Sequence, residues 1–288
     1  MPSPEELQRK EELQRQADAI PWYHTIELGH GVVTRGLSDN PHHAEILPDV
    51  RDKSVLDVGA WDGKFSFLAE QAGAASIVAL DHYAWGVDIE ARDRYWKECA
   101  ATGTLPDHSR DVIDFWNPEL PGQRGFSFAV QTLGSKVQPV VADFTTVDLD
   151  SLGRFDVVLY LGVLYHMKDP VASLERVFAA TKEVAVIETE AVHLHGLDSR
   201  PLLEFHVGSS LRADFGNWFV PTLQALTDMC LAAGFKSVKT VKGFPLPQDP
   251  PNPEGHRVEL ARKFGRIPRT DHLSAETQPY RAVVHAYV

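Results

Sequence analysis

Cysteines and long apolar runs are scarce in this 288-residue sequence. The two cysteines, Cys99 and Cys230, lie far apart, which suits a reducing compartment and provides no metal-binding framework. No stretch approaches the roughly 18 consecutive apolar residues that indicate a membrane span. The polar N-terminus also lacks the apolar segment of a secretory signal. We therefore expect a cytoplasmic protein with no membrane partner.

Positive charge is also in short supply. The chain carries 28 Lys and Arg against 40 Asp and Glu, which gives a formal net charge of −12 at pH 7. A protein that grips a phosphate backbone usually presents a basic patch. The basic residues here are scattered, apart from one modest cluster near the C-terminus: Arg257, Arg262, Lys263, Arg266 and Arg269. We therefore expect a small-molecule partner rather than a nucleic acid, and the sequence gives no indication of the oligomeric state.

Short apolar strands alternate with helices from Ser54 onwards. Helices are predicted at Phe65–Gln71, Pro170–Thr181 and Leu223–Ala233, and strands at Val55–Val58, Ser76–Leu80, Val137–Ala142, Phe155–Tyr160, Glu183–Glu188, Ser237–Val241 and Ala282–Val288. Continuous apolar strands alternating with helices imply a mostly parallel sheet that is covered on both faces. We predict an α/β fold, a Rossmann-like three-layer sandwich with a mostly parallel seven-stranded sheet and an antiparallel edge hairpin.

The domain organisation follows from the segments that depart from this alternation. Residues 1–53 should form an N-terminal helix and a segment, Trp22–His24, that either covers a cofactor or packs into the core. Residues 54–288 should form the Rossmann-like domain. Residues 83–136 are an insertion, because a single helix would suffice there, and they either line the substrate pocket or form a helical decoration. The proline-rich stretch Gly243–Glu254 is predicted to be an irregular loop.

The motif Asp57-Val58-Gly59-Ala60-Trp61-Asp62-Gly63 begins in the first apolar strand and continues into the turn after it. Gly59 permits a tight turn at the carboxyl edge of a parallel sheet, where ligands bind in open α/β folds. A dinucleotide site would require G-x-G-x-x-G and bare backbone N–H groups for a pyrophosphate. Here Trp61 replaces the second glycine, and the acids would repel a pyrophosphate. The motif favours a ligand that carries an ammonium group and hydroxyls.

Two further acids end the following strands. Asp81 ends the second strand, 22 residues after Gly59, where a carboxylate can accept both hydroxyls of a ribose. Asp143 follows the third strand and could accept from an adenine amino group, with Phe144 flanking the ring. The alternative is that acids at strand ends cap the next helix.

These segments resemble the class I S-adenosylmethionine-dependent methyltransferases over roughly residues 54–190. The resemblance implies S-adenosylmethionine as the cofactor. It also implies cofactor-binding roles for Asp57, Gly59, Gly63, Asp81 and Asp143. Further candidates for cofactor binding are Trp22, Asp62, His82, Phe144 and Leu161. The segment Ala60-Trp61-Asp62 departs from the common family versions of the motif and could adjust the methionine end of the pocket.

A narrower resemblance begins at the end of the fourth strand. Gly162-Val163-Leu164-Tyr165-His166 is similar to a signature of the subfamily that contains the tRNA wobble-uridine carboxymethyltransferases, and Ile187-Glu188-Thr189 is similar to that subfamily's fifth strand. The same signature occurs in many small-molecule methyltransferases. Basic residues that would grip RNA and a carboxylated cofactor are not evident, so we expect ordinary S-adenosylmethionine.

The candidate catalytic residues are His166 and Glu190. His166 is the first candidate for a general base, because histidine titrates near neutral pH, although it could instead fix the turn or contact the cofactor. A set of polar residues in this part of the chain forms either a metal site or a solvated loop, and we expect no metal. The set comprises Glu188, Glu190, His193, His195, Glu204 and His206. Tyr165, Asn217 and Trp218 are the candidate substrate-binding residues.

The leading hypothesis is methyl transfer to a hydroxyl or enol oxygen of a small natural product or sugar. The first alternative is modification of a tRNA wobble uridine. The second is a Rossmann-type oxidoreductase or a non-catalytic binding module.

Overall fold

A computed structural model describes residues 3–38, 45–117, 123–194, 197, 199–212, 214–244 and 277–288. His195, the basic cluster at 257–269 and all but the first two residues of the proline-rich stretch lie outside the described residues. The chain divides into two compact units. Unit 1 comprises Met1–Tyr95 and Asp107–Leu159, and unit 2 comprises Trp96–Pro106 and Tyr160–Val288.

The secondary structure alternates as predicted from the sequence. The strands within the described ranges are β1 (Trp22–His24), β2 (Gly36–Ser38), β3 (Ser54–Val58), β4 (Ser76–Asp81), β5 (Gln138–Val141), β6 (Phe155–Leu161), β7 (Thr181–Leu194), β8 (Leu203–Phe205), β9 (Phe219–Pro221), β10 (Ser237–Lys242) and β11 (Thr277–Tyr287). The α-helices there are α1 (Pro4–Asp18), α2 (Lys64–Gln71), α3 (Tyr83–Gly86), α4 (Ile89–Thr102), α5 (Arg110–Ile113), α6 (Arg124–Leu133), α7 (Leu149–Leu152), α8 (Pro170–Ala180) and α9 (Leu223–Ala232).

Seven strands form one sheet in the order β10-β11-β7-β6-β3-β4-β5. β4 runs parallel to both β3 and β5, whereas β11 runs antiparallel to both β7 and β10. The mostly parallel seven-stranded sheet and the antiparallel edge hairpin are therefore confirmed. None of the helices in the described ranges has the length and apolar character that a membrane crossing requires.

Unit 1 contains the first glycine turn and most of the predicted insertion. Its central strands are buried because they are continuously apolar: Val55 and Leu56 in β3, and Val157 and Leu159 in β6, have no exposed surface. The insertion supplies helices α3, α5 and α6 to this unit, so part of it is helical.

Unit 2 contains the helices α8 and α9. The side chain of Asp169 accepts a hydrogen bond from the Ala172 N–H, and Pro170 follows in the first turn, so α8 begins where the sequence predicts. β7 is longer than the predicted strand, because β11 pairs with it from Val184 to Leu194. Acidic residues and histidine interrupt the apolar pattern in the second half of β7, which hid this extension in the sequence.

Candidate functional site

The glycine turn after β3 holds three residues in the left-handed region of backbone conformation. The φ angles are 74° at Gly59, 51° at Trp61 and 86° at Gly63. A Cβ at Gly63 would lie 2.7 Å from the Phe126 ring and 2.9 Å from the Phe67 ring, so only glycine fits there. The backbone N–H of Gly59 donates to the carbonyl of Leu80, which ties the turn to β4.

Asp81 connects the end of β4 to the same turn. One carboxylate oxygen accepts from the Trp61 N–H at 2.9 Å, and the other accepts from the Ala84 N–H at 2.9 Å. Burial raises the pKa of Asp81, and the two N–H donors partly oppose that shift. Each oxygen still has the capacity to accept a second hydrogen bond, so the carboxylate suits a pair of hydroxyls. The Ala84 N–H belongs to α3, so Asp81 also ties the end of β4 to that helix.

Asp57 is the most deeply placed acid of the turn. Its side chain is 2% exposed and accepts from the Ser66 hydroxyl at 2.6 Å. Burial raises the pKa of Asp57 to about 6, although the Ser66 hydrogen bond opposes this shift. Asp57 therefore links β3 to α2 and faces Ser66 rather than solvent.

Asp62 joins the turn to the N-terminal segment of unit 1. One of its oxygens accepts from the backbone N–H groups of Tyr23 and His24 at 2.8 and 3.0 Å, and the other contacts Nδ1 of His24. Trp22 is 4% exposed and its indole N–H donates to the Ala17 carbonyl, so its side chain packs inside unit 1. The sequence suggested no partnership between His24 and Asp62, which are 38 residues apart.

The remaining cofactor candidates of unit 1 lie at the ends of β4 and β5. Asp143 accepts from the backbone N–H and the hydroxyl of Thr145, both at 2.8 Å. Phe144 is buried, and the His82 ring lies 5.8 Å from the Trp116 ring. Leu161, which ends β6, belongs to unit 2.

His166 ends a 3-10 turn that follows β6 in unit 2. Its Nδ1 lies 3.0 Å from the carbonyl oxygen of Gly216. Because a carbonyl oxygen can only accept, Nδ1 carries the proton in this contact, and the basic lone pair of the neutral ring is on Nε2. A Cβ at Gly216 would lie 3.4 Å from Trp96 and 3.7 Å from Nδ1 of His166, so residue 216 lies beside the imidazole ring.

Glu188 and Glu190 hold two arginines that the sequence analysis missed. Arg281 donates to Glu188 and, at 2.9 Å, to Glu190, and Arg212 donates to Glu190 at 2.7 Å. Burial favours a raised pKa for Glu190, but the two guanidinium groups outweigh it and lower the pKa below its ordinary value. Arg281 lies opposite Glu190 in the β11–β7 register, which no sequence pattern indicated.

The three substrate candidates lie in unit 2 with different partners. The Tyr165 hydroxyl is 3.4 Å from a guanidinium nitrogen of Arg281. Asn217 is 3% exposed and donates to the Leu211 carbonyl, whereas its Oδ1 is buried without a hydrogen-bond partner among the described residues. The backbone N–H of Trp218 donates to the Tyr165 carbonyl, and Lys168 lies over the indole ring at 4.8 Å.

The described part of the chain contains no group of three or more His, Cys, Asp or Glu side chains that could hold a metal ion. Of the residues considered as ligands, Glu188 and Glu190 contact arginines, and His206 lies 3.1 Å from the Ser210 hydroxyl.

Comparison with known proteins gives a family match and several relatives. A family model described as "Methyltransferase domain" matches residues 34–240. The tRNA U34 carboxymethyltransferase of Pseudomonas savastanoi pv. phaseolicola (strain 1448A / Race 6) is 28% identical over 195 residues, which cover 67% of this chain and 48% of that protein. A protein of the same name from Sulfurovum sp. (strain NBC37-1) is 34% identical over 89 residues, which cover 31% of this chain and 29% of that protein. The chain spans about half the length of the first relative.

Solved structures share the fold. The N-terminal domain of EvdMO1 in the presence of SAH (S-adenosylhomocysteine) and D-fucose has a TM-score of 0.56 and 19% identity, with 97% of each chain covered. The same domain with SAH bound has a TM-score of 0.55 at the same identity and coverage. At this level of identity the similarity shows the fold alone.

Proposed function

The chain belongs to the methyltransferase domain family, and from this premise we propose that it transfers a methyl group to a hydroxyl oxygen of a small organic acceptor. Family membership confirms the sequence-based recognition of an S-adenosylmethionine-dependent methyltransferase, and the oxidoreductase alternative is set aside. The structure that was solved in the presence of D-fucose makes a sugar hydroxyl the first acceptor to test.

Residues of unit 1 fit the proposed cofactor. The cofactor supplies an electrophilic methyl group on a positively charged sulfur. Asp81, at the end of β4, offers two carboxylate oxygens, and the N–H groups of Gly59 and Trp61 are already bonded to protein oxygens. Free acceptor capacity and engaged N–H groups suit the hydroxyls of a ribose better than a pyrophosphate, which requires bare N–H groups. In the proposal Asp81 binds the ribose, while Asp143 and Phe144 bind the adenine.

The observation that carries the proposal is the contact between His166 Nδ1 and the Gly216 carbonyl. It fixes the tautomer in which Nε2 can accept a proton from an acceptor hydroxyl, and it orients the ring for that transfer. An oxygen nucleophile needs such a base, because a neutral hydroxyl is a weak nucleophile.

Glu190 takes a different role in the proposal from the catalytic one considered in the sequence analysis. A carboxylate with a lowered pKa that is shared by two arginines is a poor proton acceptor near neutral pH. We assign it to positioning Arg281 and Arg212. Tyr165, Asn217 and Trp218 remain the proposed acceptor contacts.

Replacing His166 tests the proposed base. His166→Ala and His166→Gln should both lower kcat with sugar acceptors by about 10²-fold or more, because neither side chain can accept the proton. Calorimetry should show near-normal binding of S-adenosylmethionine to both variants. The glutamine side chain can still donate to the Gly216 carbonyl. Retained activity in His166→Gln would therefore reduce His166 to a residue that fixes the turn.

A second candidate function is modification of a tRNA wobble uridine, which is favoured by the names of the relatives. A carboxylated cofactor would need a basic residue to bind its carboxylate. Arg281, which contacts the Tyr165 hydroxyl, is already neutralised by two carboxylates, so we retain ordinary S-adenosylmethionine as the donor. Binding of unmodified tRNA that weakens steeply between about 50 and 200 mM salt would favour this candidate. The leading proposal expects no such binding.

A further inference from the structure

Trp61 adopts a backbone conformation that is costly for its residue type. Its φ of 51° lies in the left-handed region, which glycine enters freely and which bulky residues rarely adopt. Non-glycine residues held in such conformations cluster at functional sites, where the surrounding structure over-determines them. A tryptophan at this position of the glycine turn therefore requires an explanation.

Three independent contacts hold Trp61 in place. Its backbone N–H donates to Asp81 at 2.9 Å, and its carbonyl accepts from the Trp85 indole N–H at 2.6 Å. The Tyr23 ring stacks on its indole with a centroid distance of 4.6 Å and an interplanar angle of 28°. The backbone contacts fix residue 61 whatever its side chain, so the indole ring itself must account for the choice of tryptophan.

The proposed cofactor is positively charged, but the acids on either side of Trp61 are already engaged by the protein. The Asp62 carboxylate is occupied by His24 and by two backbone N–H groups, and Asp57 is buried against Ser66. The Trp61 side chain is only half-buried although Tyr23 covers one face. An indole face attracts a cation more strongly than the other aromatic side chains do.

We propose that the Trp61 ring recognises the positive sulfur of the cofactor and thereby favours S-adenosylmethionine over the neutral-sulfur product S-adenosylhomocysteine. The inference rests on the proposed function, in which Asp81 binds the ribose hydroxyls. The sulfonium sulfur is bonded to the ribose C5′ carbon, and Asp81 accepts from the Trp61 N–H. Trp61, which donates to the carboxylate assigned to the ribose, is therefore close to the expected position of the sulfonium. The ammonium group is common to both ligands and cannot distinguish them.

Calorimetric titration of the full chain with each ligand tests this role. In Trp61→Leu the ratio of the S-adenosylhomocysteine Kd to the S-adenosylmethionine Kd should fall on the order of tenfold, because leucine retains apolar bulk but has no π face. Trp61→Phe should show a smaller fall in the same direction, since the phenyl face is a weaker cation binder. Tyr23→Phe preserves the stack and should leave the ratio unchanged.

The Kd ratio separates recognition of the sulfonium from a structural role. A purely structural Trp61 would weaken both ligands equally, and an unchanged ratio in Trp61→Leu would overturn the proposal. If Trp61→Leu does not fold, the ratio in Trp61→Phe decides in the same way. Failure of the wild-type protein to bind either ligand would instead overturn the proposed function.

Discussion

Individual acids of the glycine turn combine structural and proposed binding roles. Asp81 accepts hydrogen bonds from Ala84 in α3 and from Trp61, and Asp57 accepts one from Ser66, so both carboxylates have structural partners. Buried acids of this kind reduce stability when charged, and proteins retain them where function requires the charge. The stability of variants therefore reports on these residues independently of activity.

Asp57→Asn should stabilise the ligand-free protein at neutral pH. Burial raises the pKa of Asp57 to about 6, whereas an unfolded aspartate titrates near 3.8. Its raised pKa means that the folded state binds the proton more tightly, so the ionised form costs about 2–3 kcal/mol of stability above pH 6. Asparagine avoids that cost and can still accept from Ser66.

Denaturant titrations at two pH values check this expectation. The advantage of Asp57→Asn should be largest at about pH 7 and shrink towards about pH 4, where Asp57 is protonated in the folded state and partly protonated in the unfolded state. Ser66→Ala removes the hydroxyl donor and serves as the matched control, since it should destabilise at both pH values. An advantage that is independent of pH would contradict the assigned cause.

Residue-level prediction from the sequence reached the acids at strand ends but missed their partners. Asp57 and Asp81 lie at the ends of apolar strands and Asp143 follows one, a pattern that local sequence reveals. The contacts of Asp62 with His24 and of Glu188 with Arg281 join residues that are 38 and 93 positions apart. Such pairs depend on tertiary packing, for which hydrophobic periodicity carries no signal.

At the scale of elements, the parallel strands were predicted because they are apolar on both faces. β3, β4 and β6 lie within one or two residues of their predicted limits. β7 and β11 were predicted too short, since their outer halves mix polar and apolar residues and pair with each other rather than with apolar neighbours. This unpredicted half of the hairpin carries Glu190 and Arg281.

Arg281→Met should break the ion-pair cluster that joins β11 to β7. Glu190 has a side chain that is 4% exposed, and Glu188 one that is 13% exposed, so both would lose their shared cation inside the protein. Removing one member of a fully buried pair costs about 3–5 kcal/mol, but the Arg281 side chain is 31% exposed, so the loss should lie between about 1 kcal/mol and that range. It should appear as a lower free energy of unfolding at pH 7.

The pH dependence of this loss distinguishes charge from packing. The pKa of Glu190 is lowered in the folded protein, so its favourable contribution is present at neutral pH and is lost as the pH falls through that pKa. The penalty of Arg281→Met should therefore shrink in acid. Arg212→Met is the control, since its side chain is 54% exposed and Glu190 keeps Arg281; the expected loss is up to about 1 kcal/mol. An equal loss in both variants would contradict the central position of Arg281.

For the whole molecule, the scarcity of cysteine indicated that cysteines provide no metal-binding framework, and the alternation of elements indicated the fold. The acceptor is a different matter, because many chemistries share one fold and differ in a few side chains. The chain spans about half the length of its first relative, so the identity of that protein does not settle the substrate. Cofactor binding, in contrast, can be tested directly on the full chain.

S-adenosylmethionine should raise the melting temperature of the whole chain, because a ligand that binds only the folded state stabilises it. At about 100 times its Kd the gain is about 2.7 kcal/mol, which corresponds to a shift of several degrees for a chain of this size. S-adenosylhomocysteine should give a similar type of shift, and NAD should give none. Asp81→Ala should weaken binding by about 1–3 kcal/mol and so remove roughly a third to nine-tenths of the shift at the same ligand concentration. A full shift in Asp81→Ala would remove Asp81 from the ribose site, and a shift with NAD alone would return the glycine turn to the dinucleotide-binding alternative.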